Sequence, residues 1–356
     1  MSDKLKVARI IEKFANLKLI ENHKVPPRKF AVFNTKDEVI EFKDQRVYLY
    51  FDEIISNFKK LTTIKIDSMK QLNKLPIALK ELKDLKEISI TNCKIEIIPN
   101  WINGLMNLEI IDLQNNNIIK IPKEFAELKQ LVSLNLNGNQ ISDIPIEFID
   151  LKKLKDLNLG NNNFDIIPEV LLELNIRNLN ISKNYIQRLP SNWKKLQDSM
   201  KKFDCIQKIP IEEADGILKL EKLIELSFNP LILPFKMSQL KNLSKLIITE
   251  CKNTELPPEI CLIKQLIILK ISNGRLLRLP ENIHLMSELR ELHVTNNLLS
   301  TLPRSIGALR KIKKINVKQN NILELPTTID RLKDIKLELE GNPILEQMNK
   351  NNKWRT

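Results

Sequence analysis

The sequence has few of the residues on which catalytic and metal sites depend. Its 356 residues include three histidines, four cysteines and seven glycines. His23, His284 and His293 lie far apart in the chain, and the cysteines show no CxxC spacing, so neither a metal site nor a disulfide framework is indicated. Glycine-rich phosphate loops and the HExxH and GxSxG motifs are also missing. We therefore expect no metal, no cofactor and no enzymatic activity.

Long apolar runs are missing as well. The first residues, MSDKLKVARIIEKF, carry charges throughout, which fits neither a secretory signal nor a membrane span. The dispersed cysteines are typical of a reducing compartment. The sequence thus predicts a cytoplasmic protein.

Positive charge is in excess but is not concentrated in any one segment of the sequence. The net charge is +13, yet most lysines alternate with acidic residues, as in ELKDLKE and DRLKDIK, which is typical of a solvated surface. Binding to nucleic acid or another polyanion is an alternative that the net charge suggests. Aromatic residues make up only 5% of the chain, so a base-stacking series is missing and this alternative is disfavoured.

A repeat of about 23 residues dominates what is present. Units such as LEIIDLQNNNIIKIPKEFAELKQ and LRELHVTNNLLSTLPRSIGALRK share the form LxxLxLxxNxLxxLPxxIxxLxx. In the first half, apolar and polar residues alternate, which predicts a short strand with its apolar side chains facing inward. In the second half, apolar residues follow the proline at three-residue spacing, which predicts a helical or 3₁₀ turn. Prolines mark the register at positions 76, 99, 122, 145, 168, 190, 210, 234, 257, 280, 303 and 326.

One column of the repeat is occupied by asparagine. An asparagine side chain has both a donor and an acceptor, so it can satisfy backbone groups where the chain leaves the strand. We interpret the column as structural, with Cys93 and Cys251 as buried substitutes. Its members are Asn116, Asn139, Asn162, Asn184, Asn297, Asn320 and Asn342.

The repeat resembles the leucine-rich-repeat family, in its class of about 23 residues with LPxxI in the second half, which includes intracellular Ras-suppressor-like and bacterial proteins. The resemblance covers about residues 61 to 344, or roughly twelve to thirteen units. It implies an α/β solenoid, a horseshoe with a parallel sheet on its concave face and helical or 3₁₀ turns on its convex face. It also implies a scaffold that binds another protein through the concave sheet, without naming that protein or the oligomeric state.

The outward strand positions are the candidates for contact with a partner. They become more basic and more apolar towards the C-terminus, which would suit an acidic and partly apolar partner, although unselected surface variation is an alternative explanation. The candidates are Asp112, Asn135, Asn158, Asn180, Lys245, Ile247, Lys270, His293, Asn316 and Lys318.

The two ends and the middle depart from the repeat. We expect residues 1–60 to form an N-terminal cap, with a helix and a diverged first unit around VYLYF at 47–51, and residues 345–356 to form a short C-terminal cap or tail. Within 191–234 the repeat is irregular: Ser199 and Lys201 fall at predicted inward positions, and SFNPLILP is predicted to lack its asparagine. This stretch is either a decayed repeat or a specialised contact site or hinge that involves Phe203, Cys205 and the acidic run EEAD at 212–215.

Overall fold

The structure is a computed structural model, and it describes residues 31–33, 39–42, 52, 55 and 60–350. Side chains are described within 60–346, together with those of Asp52 and Ile55. The predicted N-terminal helix and the VYLYF strand lie outside the described residues, as does Trp354 of the predicted C-terminal cap.

The chain divides into two compact units. The first comprises Met1–Phe164 and Pro168–Ile176, and the second comprises Asp165–Ile167 and Arg177–Thr356. Each unit has the α/β architecture of a repeat solenoid, in which short parallel strands alternate with short helical turns.

In the first unit, strands β1 and β2 pair antiparallel, and β2 to β7 then pair in parallel with their neighbours in chain order. The sequence analysis placed the diverged first unit around 47–51 and did not predict β2, the strand that pairs with β3. The strands are β1 (Ala31–Phe33), β2 (Val39–Phe42), β3 (Thr63–Asp67), β4 (Glu87–Thr91), β5 (Ile110–Asp112), β6 (Ser133–Asn135) and β7 (Asp156–Asn158).

In the second unit, strands β8 to β15 pair in parallel in chain order. They are β8 (Asn178–Asn180), β9 (Lys202–Cys205), β10 (Glu225–Phe228), β11 (Lys245–Thr249), β12 (Ile268–Ser272), β13 (Glu291–Thr295), β14 (Lys314–Asn316) and β15 (Lys336–Glu338).

A 3₁₀ helix follows most of the register prolines, as the three-residue spacing predicts. Proline suits the residue before such a turn because its φ is fixed and it has no N–H to satisfy, and the Pro122 carbonyl accepts the Phe125 N–H at 3.0 Å. The 3₁₀ helices span Ile77–Glu81, Asn100–Gly104, Lys123–Glu127, Ile146–Asp150, Asp215–Lys219, Met237–Gln239, Pro258–Leu262, Glu281–Leu285, Arg304–Ala308 and Thr327–Arg331.

Three short α-helical segments complete the described elements: Glu169–Leu172, Leu196–Ser199 and Pro343–Lys350. The last begins within the predicted final repeat and includes Leu345, which was expected to start the tail. Its Ile344 side chain is buried, so this helix closes part of the apolar stack at that end.

The core of each unit consists of the inward strand residues stacked on the apolar residues of the turns. Leu134 and Leu292 occupy equivalent strand positions and are almost completely buried. Phe125 and Phe148, one repeat apart in successive turns, stack with ring centroids 5.7 Å apart. One repeat could not bury these faces alone, so the stack is the source of stability.

The predicted inward positions of Ser199 and Lys201 are wrong. Met200, Phe203 and Cys205 fill the inward positions instead, and all three are buried. β9 follows β8 at a spacing of 24 residues, from Asn178 to Lys202, and the extra residue moves the strand phase by one position relative to a fixed 23-residue register. The irregular stretch therefore keeps a continuous apolar core.

Trp193 fills the space that the irregular turn leaves. Its ring is fully buried, meets Phe203 edge to face at 5.5 Å between centroids, and donates its indole N–H to the Gly216 carbonyl at 2.7 Å. Gly216 has no space for a side chain, because an added Cβ would lie 2.0 Å from the Pro190 carbonyl oxygen.

The prediction that SFNPLILP lacks its asparagine is also wrong. Asn229 is fully buried, accepts the Gln207 N–H at 2.7 Å and donates to the Gln207 carbonyl at 3.0 Å. Gln207 in turn accepts the Ile186 N–H and donates to the carbonyls of Ile181 and Cys205. A glutamine and a displaced asparagine thus satisfy the backbone where the repeat is irregular.

Candidate functional site

The candidate site is the strand face of each unit, defined here as the outward side chains of the strands together with Lys318, which follows β14. Backbone pairing sets these side chains in rows. In the first unit Ser89, Asp112, Asn135 and Asn158 occupy one row, and in the second unit Asn180, Ser227, Ile247, Lys270, His293, Asn316 and Glu338 occupy the equivalent row.

The asparagine column lies beside the strand ends and faces inward. Asn139 shows the pattern: its side-chain oxygen accepts the Ile118 N–H at 3.0 Å, and its amide donates to the Leu113 and Leu136 carbonyls at 3.0 Å each. The other members are also buried, so these side chains bond backbone and are not presented to a ligand. Comparable contacts are made by Asn116, Asn162, Asn184, Asn297, Asn320 and Asn342.

The cysteines are buried and unpaired with one another. Cys93 and Cys251 occupy the asparagine column, and the Cys93 thiol contacts the Thr91 carbonyl at 3.2 Å. Burial raises the pKa of all four thiols, that of Cys261 to about 12. A thiol with a raised pKa and no access to solvent is a poor nucleophile and a poor metal ligand.

In several predicted contact residues, the side-chain oxygen accepts a hydrogen bond from a nearby backbone N–H. Asp112 accepts the N–H of Gln114 at 3.0 Å, and Asn135 accepts that of Asn137 at 3.1 Å. In each case the residue bonds the N–H two positions further along, as aspartate and asparagine commonly do in turns. The same contact is made by Asn158, Asn180 and Asn316, at 3.1, 2.9 and 3.1 Å.

This contact coincides with the length of the strand. β5 to β8 and β14 span three residues each, and the aspartate or asparagine of the row is the last of them. β3, β4 and β11 to β13 have Lys65, Ser89, Ile247, Lys270 and His293 in the row, and span five residues each. An N–H that is donated to a neighbouring side chain is withdrawn from the strand ladder, which is consistent with the shorter strands of this group. β15, with Glu338 in the same row, also spans three residues, so the contact accompanies a short strand without being required for one.

Asp204 is a strand-face residue that the sequence analysis missed. It lies at the centre of β9, between Asn180 and Ser227 in the register. Its Oδ1 is buried and has no hydrogen-bond partner among the described atoms, and burial raises the pKa of its carboxyl group. The alternation FDCIQ carries the signal, because Phe203 and Cys205 point inward on either side of Asp204.

β11 to β13 form the longest regular part of the strand face. Their outward residues make three rows in exact backbone register. The three rows are Lys245, Ile268 and Glu291; then Ile247, Lys270 and His293; and then Thr249, Ser272 and Thr295. Every one of these nine side chains is partly exposed, so this grid is accessible from solvent.

Ion pairs engage the charged side chains around this grid. Glu225 binds Lys202 at 2.7 Å and Lys245 at 3.6 Å, and the pair with Lys202 lowers the pKa of its carboxyl group. His293 Nε2 lies 3.0 Å from Glu291 Oε2. Glu225 thus joins its strand to the strands on both sides, whereas the contact of His293 with Glu291 lies within β13.

A second network closes the C-terminal end of the face. Glu338 contacts Lys336 at 2.9 Å, Lys314 at 3.1 Å and Lys318 at 3.4 Å. These lysines, Lys336 and Lys314 foremost, lower the pKa of Glu338 to about 2. Lys318, a predicted contact residue, is therefore engaged within the chain, and it also binds Glu340 at 3.2 Å.

Comparison with known families matches the repeats directly. A leucine-rich-repeat profile matches residues 83–141, and a profile of two such repeats matches 129–171. The chain is a leucine-rich-repeat protein. No curated protein sequence matches this leucine-rich-repeat protein, and its membership of the LPxxI class remains a prediction.

Solved leucine-rich-repeat structures share the fold. A leucine-rich-repeat protein of Leptospira interrogans is 24% identical, with a TM-score of 0.57 over 83% of this chain and 89% of its own. An internalin of Listeria monocytogenes is 20% identical, with a TM-score of 0.66 over 82% and 83%. A chain of the Toll–Spätzle complex of Drosophila is 18% identical, with a TM-score of 0.63 over 82% of this chain and 42% of its own. At these identities the likeness shows the fold alone.

Within the described residues, no three histidine, cysteine, aspartate or glutamate side chains come together in a way that could hold a metal ion. In the same part of the chain, no helix combines the length and the apolar character that crossing a membrane requires.

Proposed function

We propose that this leucine-rich-repeat protein is a scaffold that binds another protein through its strand face. The observation that carries the proposal is the grid on β11 to β13. Its nine outward side chains vary in type, whereas the inward side chains beneath them are uniformly apolar. A surface that varies on a fixed frame is suited to recognition rather than to chemistry.

The contact geometry narrows the set of candidate contact residues. The side-chain oxygens of Asp112, Asn135, Asn158, Asn180 and Asn316 already accept a nearby backbone N–H, so they are less available to a partner. Lys245 and Lys318 are held in ion pairs. Ile247 and Lys270 make no such contact within the described residues, and His293 bonds only Glu291. We therefore place the centre of the contact surface on β11 to β13.

Binding to a polyanion is the weaker candidate. The net charge of +13 favours it, but six strand-face lysines, at 65, 202, 245, 314, 318 and 336, are already paired with carboxylates. A polyanion site needs several unpaired cations, and its affinity falls steeply with salt. An affinity for single-stranded DNA or heparin that is weak, or flat between 50 and 200 mM salt, would remove this candidate.

Site-specific photo-crosslinking tests the proposed function. A photoreactive residue replaces Ile247 on the strand face or Leu262, an exposed residue of the 3₁₀ helix Pro258–Leu262, and each full-length variant is irradiated in native lysate. We expect a discrete protein adduct with the Ile247 variant and none with the matched Leu262 variant. Adducts only with the Leu262 variant would place recognition on the turns and contradict the proposal.

A further inference from the structure

The lysine at the centre of the β11–β13 grid differs from the other lysines of the strand face. Within residues 60–350, each of the other six forms an ion pair, whereas no carboxylate lies within ion-pair distance of the Lys270 ammonium group. Glu291, on the adjacent strand, is engaged by His293 at 3.0 Å instead. Lys270 therefore presents a positive charge that the chain itself leaves uncompensated.

The surroundings of Lys270 are apolar on one side and hydroxylated on the other. Ile247 is its register partner on β11, and Ile268 precedes it on the same face of β12. In the next row lie Thr249, Ser272 and Thr295, and the Thr249 hydroxyl has no hydrogen-bond partner in the described structure. Hydroxyl groups donate to carboxylate oxygens as readily as to neutral acceptors.

A carboxylate between apolar groups complements this arrangement. The carboxylate would pair with Lys270 and accept from the hydroxyl row, and an adjacent apolar side chain would cover Ile247 and Ile268. Partly exposed isoleucines beside a charge shield an ion pair from water and strengthen it. A polyanion would gain only one unpaired cation here and would have to lie on two isoleucines.

We infer that the β11–β13 grid is a recognition site for a protein segment that presents an aspartate or glutamate next to an apolar side chain, with Lys270 as its charge contact. This inference rests on the proposed function and specifies the chemistry of the partner. It also requires the register of the three strands, because that register brings Ile247, Ile268 and Lys270 together.

Selection from a peptide library tests the inference without knowledge of the partner. A random heptapeptide library displayed on phage is selected on the full-length chain and, in parallel, on the Lys270→Glu variant. We expect the parent chain to enrich peptides with an acidic residue beside an apolar one and the variant to enrich basic residues at the same place. Enrichment of the same sequences by both chains, or of none by the parent chain, would overturn the inference.

The best selected peptide then distinguishes charge contact from general surface effects. Lys270→Glu should weaken its affinity at least about tenfold, and a swap of the peptide's acidic residue for lysine should restore most of the loss. Lys65→Glu is the matched control: Lys65 has the same position in its repeat but is paired with Glu87, so its reversal should leave the affinity within about twofold. Lys270→Met, which adds no charge, repeats the test if Lys270→Glu folds poorly.

The outcomes separate this inference from the proposed function. Strand-face crosslinks to a protein, combined with peptide binding that is indifferent to Lys270, would keep the scaffold function and remove the acidic-segment chemistry. Peptides displaced by single-stranded DNA more effectively than by acidic peptides would assign the site to a polyanion and overturn the inference.

Discussion

Strands β5 to β7 and strands β11 to β13 present outward side chains from the same repeat positions, but they use them differently. In β5 to β7 Asp112, Asn135 and Asn158 bond backbone two residues on, and the strands stop after three residues. In β11 to β13 the equivalent residues are Ile247, Lys270 and His293. Within the described structure their side chains make no such hydrogen bond to the backbone, and each strand spans five residues.

The difference shows that a polar residue on the strand face is not automatically a binding residue. Sequence alternation places both groups on the same face, so both were predicted as partner contacts. The structure separates them, because an aspartate or asparagine oxygen that accepts a backbone N–H is part of the frame. Lysine and isoleucine side chains have no acceptor for a backbone N–H, so they remain available to contact a partner.

The largest expected effect is common to both groups and concerns their inward residues. Leu134→Asp in β6 and Leu292→Asp in β13 should each lower the free energy of unfolding by several kcal/mol, because each buries an unpaired charge in the stack. Chemical denaturation followed by circular dichroism measures the change. The outward neighbour substitution Ser133→Asp is the control, and a Leu134→Asp protein as stable as this control would show that the strand phase is wrong.

The asparagine column should give the next largest effect. Asn139→Leu removes an acceptor for the Ile118 N–H and donors for two carbonyls, all buried, so we expect a loss of about 3 kcal/mol. Gln140→Ala, at the adjacent exposed position, should change the stability by less than about 0.5 kcal/mol. Equal denaturation midpoints for the two variants would argue against a structural role for the column.

The central strand-face residues test the comparison itself. Asn158→Ala leaves the buried N–H of Gly160 without its acceptor and should lower the free energy of unfolding by about 1 kcal/mol. Lys270→Ala, at the equivalent position of β12, should lower it by less than about 0.5 kcal/mol. Denaturation curves of both variants give the difference, and a Lys270→Ala protein that is the less stable of the two would reverse our assignment.

The smallest effect depends on pH and concerns Asp204. Because burial raises the pKa of its carboxyl group, the folded state holds this proton to a higher pH than the unfolded state does. The charged form therefore lowers stability as the pH rises above the unfolded pKa of about 3.9. Asp204→Asn should be slightly more stable than the parent at neutral pH, and its advantage should disappear in acid.

Glu338 provides a control of opposite sign. Lysine contacts lower its pKa to about 2, so its contribution to stability is present above the unfolded pKa and is lost as the pH falls towards 2. Glu338→Gln should therefore be less stable than the parent at neutral pH and approach it in acid. Thermal melts across this range measure both variants, and parallel pH profiles would contradict the opposite pKa directions.

Much of the fold could be predicted from the sequence, because each repeat has the same pattern and therefore the same strand and turn. Alternation gave the parallel strands, proline spacing gave the 3₁₀ turns, and burial of Leu134 and Leu292 follows from both. The fixed period failed at β9, which follows β8 at a spacing of 24 residues, because a shift of one residue reverses every side chain of a strand. Ser199 and Lys201 were consequently assigned inward, and Asp204 was missed.

The candidate site could be predicted only in part. The period gave the outward positions, but it does not show which side chains bond their own backbone or a neighbouring strand. The last residues of β5 to β8 carried a readable signal, since aspartate and asparagine at a strand end commonly bond the N–H two residues on. The unpaired state of Lys270 had no local signal, because it depends on residues from adjacent repeats.

A crosslinking map of the central row tests the account most directly. The same photoreactive residue is placed in turn at Asn135, Asn158, Ile247 and Lys270, and the yield of protein adduct in native lysate is compared after correction for folded protein. We expect high yields at Ile247 and Lys270 and low yields at Asn135 and Asn158. The highest yields at Asn135 and Asn158, with none on β11 or β12, would contradict the account.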